Sequence, residues 1–137
     1  MVTRELSELV LLVDDEEEYV QALSERLEMR SISTLIAHTG EEALEIAARE
    51  HPSVVVLDHR LPGLDGLEVL RRLKRSDPGV EVILMTGHGS DRDQVRAREL
   101  GALVYLQKPI DIEVMMARLK EAREKVSRRQ GNATLES

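Results

Sequence analysis

The sequence contains no cysteine, which excludes disulfides, thiolate zinc sites and a cysteine nucleophile. It also lacks tryptophan and phenylalanine and has only two tyrosines, Tyr19 and Tyr105. A surface that stacks nucleic-acid bases on aromatic rings is therefore excluded. Positive charge is in the minority, since 19 Lys and Arg face 26 Asp and Glu for a formal net charge of −7. Such a chain is repelled by phosphate backbones and anionic lipid, so neither direct nucleic-acid binding nor membrane binding is expected. Long hydrophobic runs are missing too. Runs such as Leu9 to Val13 and Val54 to Leu57 are short, far below the roughly 20 residues that cross a bilayer. The opening MVTRELSE has no apolar stretch of signal-peptide length, which makes the cytoplasm the expected location.

What is present suits one globular domain. The chain has 137 residues, of which 42% are hydrophobic and 33% charged, and a chain of this length buries about two-thirds of its unfolded surface. Two periodicities alternate along it. Leu9 to Val13 is an apolar run ending in acid, as expected of a buried parallel strand, and Val20, Leu23 and Leu27 then recur at helical spacing. Ile32 to Ala37 predicts a second strand, and Glu41 to Glu50 a helix stopped by Pro52. Val54 to Leu57 predicts a third strand, followed by a helix carrying Leu67, Leu70 and Leu73 with Asp65 as its cap. Val82 to Met85 and Leu103 to Leu106 predict strands four and five. A charged helix from Asp91 to Leu100 separates them, and a last helix runs from about Ile110 to past Val126. Five strands, each followed by a helix, predict a doubly wound α/β fold with a parallel sheet in the order 2-1-3-4-5.

Such sheets bind ligands at the carboxyl ends of their strands. Strand one ends in Asp14 and Asp15, strand three in Asp58, strand four in Thr86, and strand five leads to Lys108 and Pro109. Three carboxylates at one rim raise each other's pKa unless a cation offsets them. An oxygen-only donor set without paired histidines selects Mg²⁺ over zinc or copper. Acids, a lysine and a hydroxyl in one place predict a site that handles phosphoryl groups.

The stretches LVLLVDDEEE (9–18), VVVLDHRLPGLDGLEVL (54–70), VILMTGHGS (82–90) and GALVYLQKPID (101–111) resemble the receiver domain of two-component response regulators over residues 6 to 127. The sheet order above is one this family is itself known for, so it is not an independent expectation. The wording MTGHGS further resembles receivers of regulators that drive sigma-54-type ATPase outputs. The resemblance implies that Asp58 is the phosphoacceptor, taking its phosphoryl group from a phosphohistidine on a partner histidine kinase or phosphotransfer protein. It implies that Asp15, Asp58 and the backbone carbonyl of Arg60 ligate Mg²⁺, with Asp14 acting through water. Lys108, preceding a cis Pro109, would pair with a phosphoryl oxygen, Thr86 would donate to it, and Gly87 would leave room for it. Tyr105 would swing inward behind Thr86 when phosphate is bound. Arg60 and His88 flank the site, where they either gate water or face solvent.

Two other classes stay open. A Mg²⁺-dependent phosphatase would work through an aspartate after strand one, but that chemistry wants two aspartates one residue apart, and Asp14 and Asp15 are adjacent. A non-phosphorylated module of the same fold is the other, and the intact set of residues speaks against it. The expected domain is 1–127, with 128–137 a polar tail or truncated linker, in a stand-alone regulator or a receiver belonging to a longer protein. Its partners would be the kinase, an output domain or downstream protein, and a second copy through helix four, strand five and helix five. Helix four, with a thin apolar face, is expected to shift on phosphorylation.

Overall fold

The computed structural model describes residues 9–136. Residues 1–8, the expected start of the domain with the MVTRELSE segment, and Ser137 lie outside the described residues. Among the described residues strands and helices alternate: β1 (Val10–Val13), α1 (Glu17–Glu28), β2 (Thr34–Ala37), α2 (Gly40–Glu50), β3 (Val54–Asp58), α3 (Gly66–Ser76), β4 (Glu81–Thr86), α4 (Asp91–Glu99), β5 (Val104–Gln107) and α5 (Ile112–Glu136). Every strand pairing is parallel and the order is β2-β1-β3-β4-β5, as predicted.

Local chemistry sets the boundaries. The Thr39 hydroxyl accepts from the Glu42 N–H at 3.1 Å at the start of α2. Asp65 accepts from the Leu67 N–H ahead of α3, and Ser90 from the Asp93 N–H ahead of α4. Each satisfies a backbone donor that the first helical turn leaves unpaired. α2 ends at His51, in the left-handed region with φ 50°, and Pro52 prevents continuation. Strand two is shorter than its apolar run: Ile32 is buried just ahead of it, and pairing with β1 begins at Thr34.

Because side chains alternate across a strand, the sheet feeds two cores. Leu11, Val13, Val55, Leu57, Val82 and Leu84 meet Ala43 of α2, Val69, Leu70 and Leu73 of α3, and Ala97 of α4. Val10, Leu12, Val54, Val56, Ile83 and Met85 meet Val20, Leu23 and Leu27 of α1 and Met115, Leu119 and Ala122 of α5. Burial on both faces is why β1, β3 and β4 read as unbroken apolar runs. α5 continues through the boundary expected at residue 127. Arg129, beyond that boundary, pairs with Glu81, the first residue of β4, which is 2% exposed, and a buried carboxylate needs such a counter-charge.

Candidate functional site

The carboxyl ends of β1, β3, β4 and β5 converge on one rim, held by backbone bonds one residue beyond each strand. The Asp14 N–H donates to the Ala37 carbonyl at 3.0 Å, the His59 N–H to Met85 at 2.7 Å, and the Lys108 N–H to Thr86 at 2.7 Å. Fixed in this way, Asp14 is fully buried and Asp58, the last residue of β3, nearly so. The Asp14 Oδ1 accepts from the Glu16 N–H at 2.9 Å. Lys108 reaches in from beyond β5. Its Nζ stands 2.8 Å from Asp14 Oδ2, 2.7 Å from Glu16 Oε1 and 3.6 Å from Asp58 Oδ2. It also lies 4.7 Å from the centre of the Tyr19 ring, a distance at which the ring face attracts a cation. The Lys108–Pro109 peptide is cis, as the resemblance implied.

The charges tune one another. Burial, followed by the Asp14 carboxylate, pushes Asp58 up from the ordinary 3.8 to about 6, against the opposing pull of Lys108 and a backbone bond from Arg60. For Lys108, burial opposes the charged form, but the close ion pair with Asp14 and the hydrogen bond to Glu16 outweigh it and raise its pKa. The ammonium is thus locked on at neutral pH, while Asp58 titrates just below it.

Most of the predicted residues meet here, with one difference in the acids. The carboxylates whose oxygens come within 4.8 Å of one another are Asp14, Glu16 and Asp58, where the sequence reading had Asp14, Asp15 and Asp58. Glu16, though exposed, reaches Lys108, and Asp15, also exposed, joins it with Asp58, Arg60, His88 and Lys108 in lining the cleft above. The donor set fits a hard divalent cation. All of its groups are oxygens, and Asp14 Oδ2 is buried with no aligned hydrogen-bond donor despite the nearby ammonium. A Cβ at Gly87 would have no neighbour within 4 Å, so open space lies beside it.

Thr86 is buried and its hydroxyl oxygen accepts from the His88 N–H at 3.1 Å. Tyr105 lies inward against the α3 and α4 core, with its hydroxyl 2.8 Å from His59 Nδ1. Burial raises the Tyr105 phenol pKa, and a hydrogen bond with Thr86 opposes that rise. Tyr19 and His59 escaped the sequence reading. The only signal for His59 is the alternation of β3, which places it opposite Asp58 and on the side of Leu57.

A carboxylate cluster with an embedded lysine, at the switch between strands one and three of a 2-1-3-4-5 sheet, defines an α/β class built to handle phosphoryl groups. The family model described as the response regulator receiver domain matches residues 10–120, and the chain belongs to that family. It is 44% identical to the uncharacterized transcriptional regulatory protein YkoG of Bacillus subtilis (strain 168) over 82% of this chain and 50% of that protein. It is 37% identical to sporulation initiation phosphotransferase F of the same organism, over 85% of this chain and 94% of that one. Among solved structures it resembles a response regulator protein from Burkholderia pseudomallei with a phosphorylated aspartic acid, calcium ion and citrate. The TM-score is 0.79 at 30% identity, covering 96% of this chain and 75% of that one. The chain thus spans about half of YkoG and nearly all of the phosphotransferase. Receiver domains are phosphoacceptors rather than classical enzymes. They work with histidine kinases or phosphotransfer proteins and with output domains. No described helix is long and apolar enough to cross a membrane.

Proposed function

We propose that Asp58 is the phosphoacceptor of a signalling switch, charged by a phosphohistidine on a partner kinase or phosphotransfer protein. Access carries the choice of residue. Asp58 lines the rim cleft with Lys108 and Arg60, whereas Asp14 is fully buried with its oxygens turned to the Glu16 N–H and Lys108. This also disfavours a phosphatase working through Asp14. In the transfer, an Asp58 oxygen bonds to phosphorus as the P–N bond breaks. The electron pair returns to the imidazole nitrogen, which takes up a proton. Lys108, already 3.6 Å from Asp58 Oδ2, pairs with an oxygen of the arriving group. Thr86 accepts from the His88 N–H, and its own proton, directed to Tyr105 in the free protein, turns to donate to the phosphoryl group. Space beside Gly87 admits the phosphoryl group, and Tyr105, already seated inward beside Thr86, is kept there in the bound state.

Asp15, Asp58 and the Arg60 carbonyl would hold Mg²⁺, with Asp14 behind them and Glu16 alongside. When bound, the ion offsets the like charge of carboxylate and phosphoryl oxygens. That the Burkholderia relative holds a phosphorylated aspartic acid and a calcium ion supports an aspartate acceptor and a divalent cation in this domain. The domain catalyses only its own phosphorylation and its return to the free acid, with Arg60 and His88 at the mouth through which water enters. Its signal passes to an output domain or downstream protein, or to a second copy through α4, β5 and α5, in the cytoplasm.

The test is mass spectrometry after incubation with acetyl phosphate and Mg²⁺. The parent gains one phosphoryl group, and Asp58→Asn gains none. No gain in the parent at saturating donor, or an equal gain in the variant, would remove the reading.

A further inference from the structure

His59 follows the acceptor directly in the chain but faces the other side of the sheet. It is 7% exposed. Its backbone is fixed on both sides, the N–H donating to Met85 at 2.7 Å and the carbonyl accepting from the Gly66 N–H at 2.9 Å. From this anchored segment, His59 Nδ1 meets the Tyr105 hydroxyl at 2.8 Å. The rings touch edge-on, with centres 5.9 Å apart and planes at 70°. His59 Nε2 faces Asp65 Oδ1 at 3.8 Å. With the imidazole proton on that nitrogen, Nδ1 accepts from the tyrosine hydroxyl.

Another wall of the Tyr105 seat is bare backbone. A Cβ at Gly89 would stand 2.5 Å from Tyr105 Cε1, 2.8 Å from its hydroxyl oxygen and 2.8 Å from Thr86 Cγ2. The ring therefore occupies a slot that Gly89 leaves open and His59 closes with a polar contact. Tyr105 is only half-buried on a strand at the sheet edge, so water competes for its hydroxyl. One neutral hydrogen bond biases such a two-position side chain by roughly 2- to 12-fold.

We propose that His59 is the positioning residue of the switch: its imidazole, bonded to the hydroxyl of a ring seated against Gly89, holds Tyr105 beside Thr86. The segment that carries the phosphoacceptor and the strand that carries the ring then move as one unit. The proposal rests on the reading of Thr86 and Tyr105 as switch residues.

The experiment uses ¹³C-tyrosine NMR of the whole chain with Mg²⁺, titrated with beryllofluoride. Only Tyr19 and Tyr105 give signals, and Tyr105→Phe assigns them. His59→Leu is expected to shift the Tyr105 resonance toward that of a solvent-exposed ring. It should weaken beryllofluoride binding about fivefold, within the range of one lost hydrogen bond. His59→Gln, which keeps an acceptor, should restore both. Tyr105→Phe should weaken binding similarly, and adding His59→Leu to it should change nothing more, as expected of residues acting through one contact. Gly89→Ala, which crowds the slot without touching His59, should displace the same resonance and carries the test if His59→Leu fails to fold. An unmoved Tyr105 signal in His59→Leu, or independent effects in the double variant, would overturn the proposal. A displaced signal with parent-like binding in every variant would confirm the seat and overturn instead the reading of Tyr105 as a switch residue.

Discussion

A carboxylate buried at the end of a central strand, beside a second buried carboxylate, keeps its proton to unusually high pH. Asp58 is raised from 3.8 to about 6, so the folded chain binds this proton more tightly than the unfolded chain does. Without metal, the group stabilises the fold fully below about pH 4 and loses that contribution as pH rises through about 6. Asp58→Asn removes the penalty. In EDTA it should gain on the order of 1–2 kcal/mol over the parent above about pH 7, after allowing for solvent screening at the rim. It should gain nothing near pH 3.5. Urea unfolding at the two pH values checks this. Lys108→Met acts in the opposite sense, because it leaves the fully buried Asp14 without its counter-ion. A loss on the order of 2–4 kcal/mol is expected in EDTA, with part of it recovered on adding Mg²⁺. At this scale the acids, Thr86 and Lys108 were legible because each ends or follows a strand. Glu16 was harder to place as a partner of Lys108, because a run of three glutamates at a helix start is satisfied by the helix dipole alone.

Elements differ in how firmly their sequence ties them down. α3 buries Val69, Leu70 and Leu73, whereas α4 buries only Ala97 and leaves Val95 57% exposed. An element with so small a buried face opens at low cost. Beryllofluoride with Mg²⁺ should therefore change amide exchange across residues 88–105 by several-fold and leave α1 as it was. Unchanged exchange there, with Asp58 occupied, would show that α4 is not the moving part. The strands were legible from apolar runs and the helices from spacing, and errors fell at the ends. Ile32 reads as strand because it is buried, but burial does not require a ladder partner. Arg60 and His88, both exposed, carry no periodic signal, so their work cannot be read from pattern.

For the whole molecule, the residues past 127 carry the weakest pattern, although α5 continues through them. Val126 is the last buried apolar residue of α5 among those whose burial is described, and nothing in the residues that follow announces that Arg129 answers a glutamate 48 positions earlier. Arg129 also donates to the Gly79 carbonyl at 3.2 Å. Ending the chain after residue 127 should destabilise it by about 2–3 kcal/mol, because Glu81 is left buried and unpaired. Glu81→Gln in the shortened chain should recover most of that loss. Thermal melts of the chain, the shortened chain and the shortened variant check both expectations.

β4 thus begins at the residue gripped by α5 and ends at Thr86. Whatever displaces the threonine therefore acts on a strand whose other end is tied by an ion pair to the long helix.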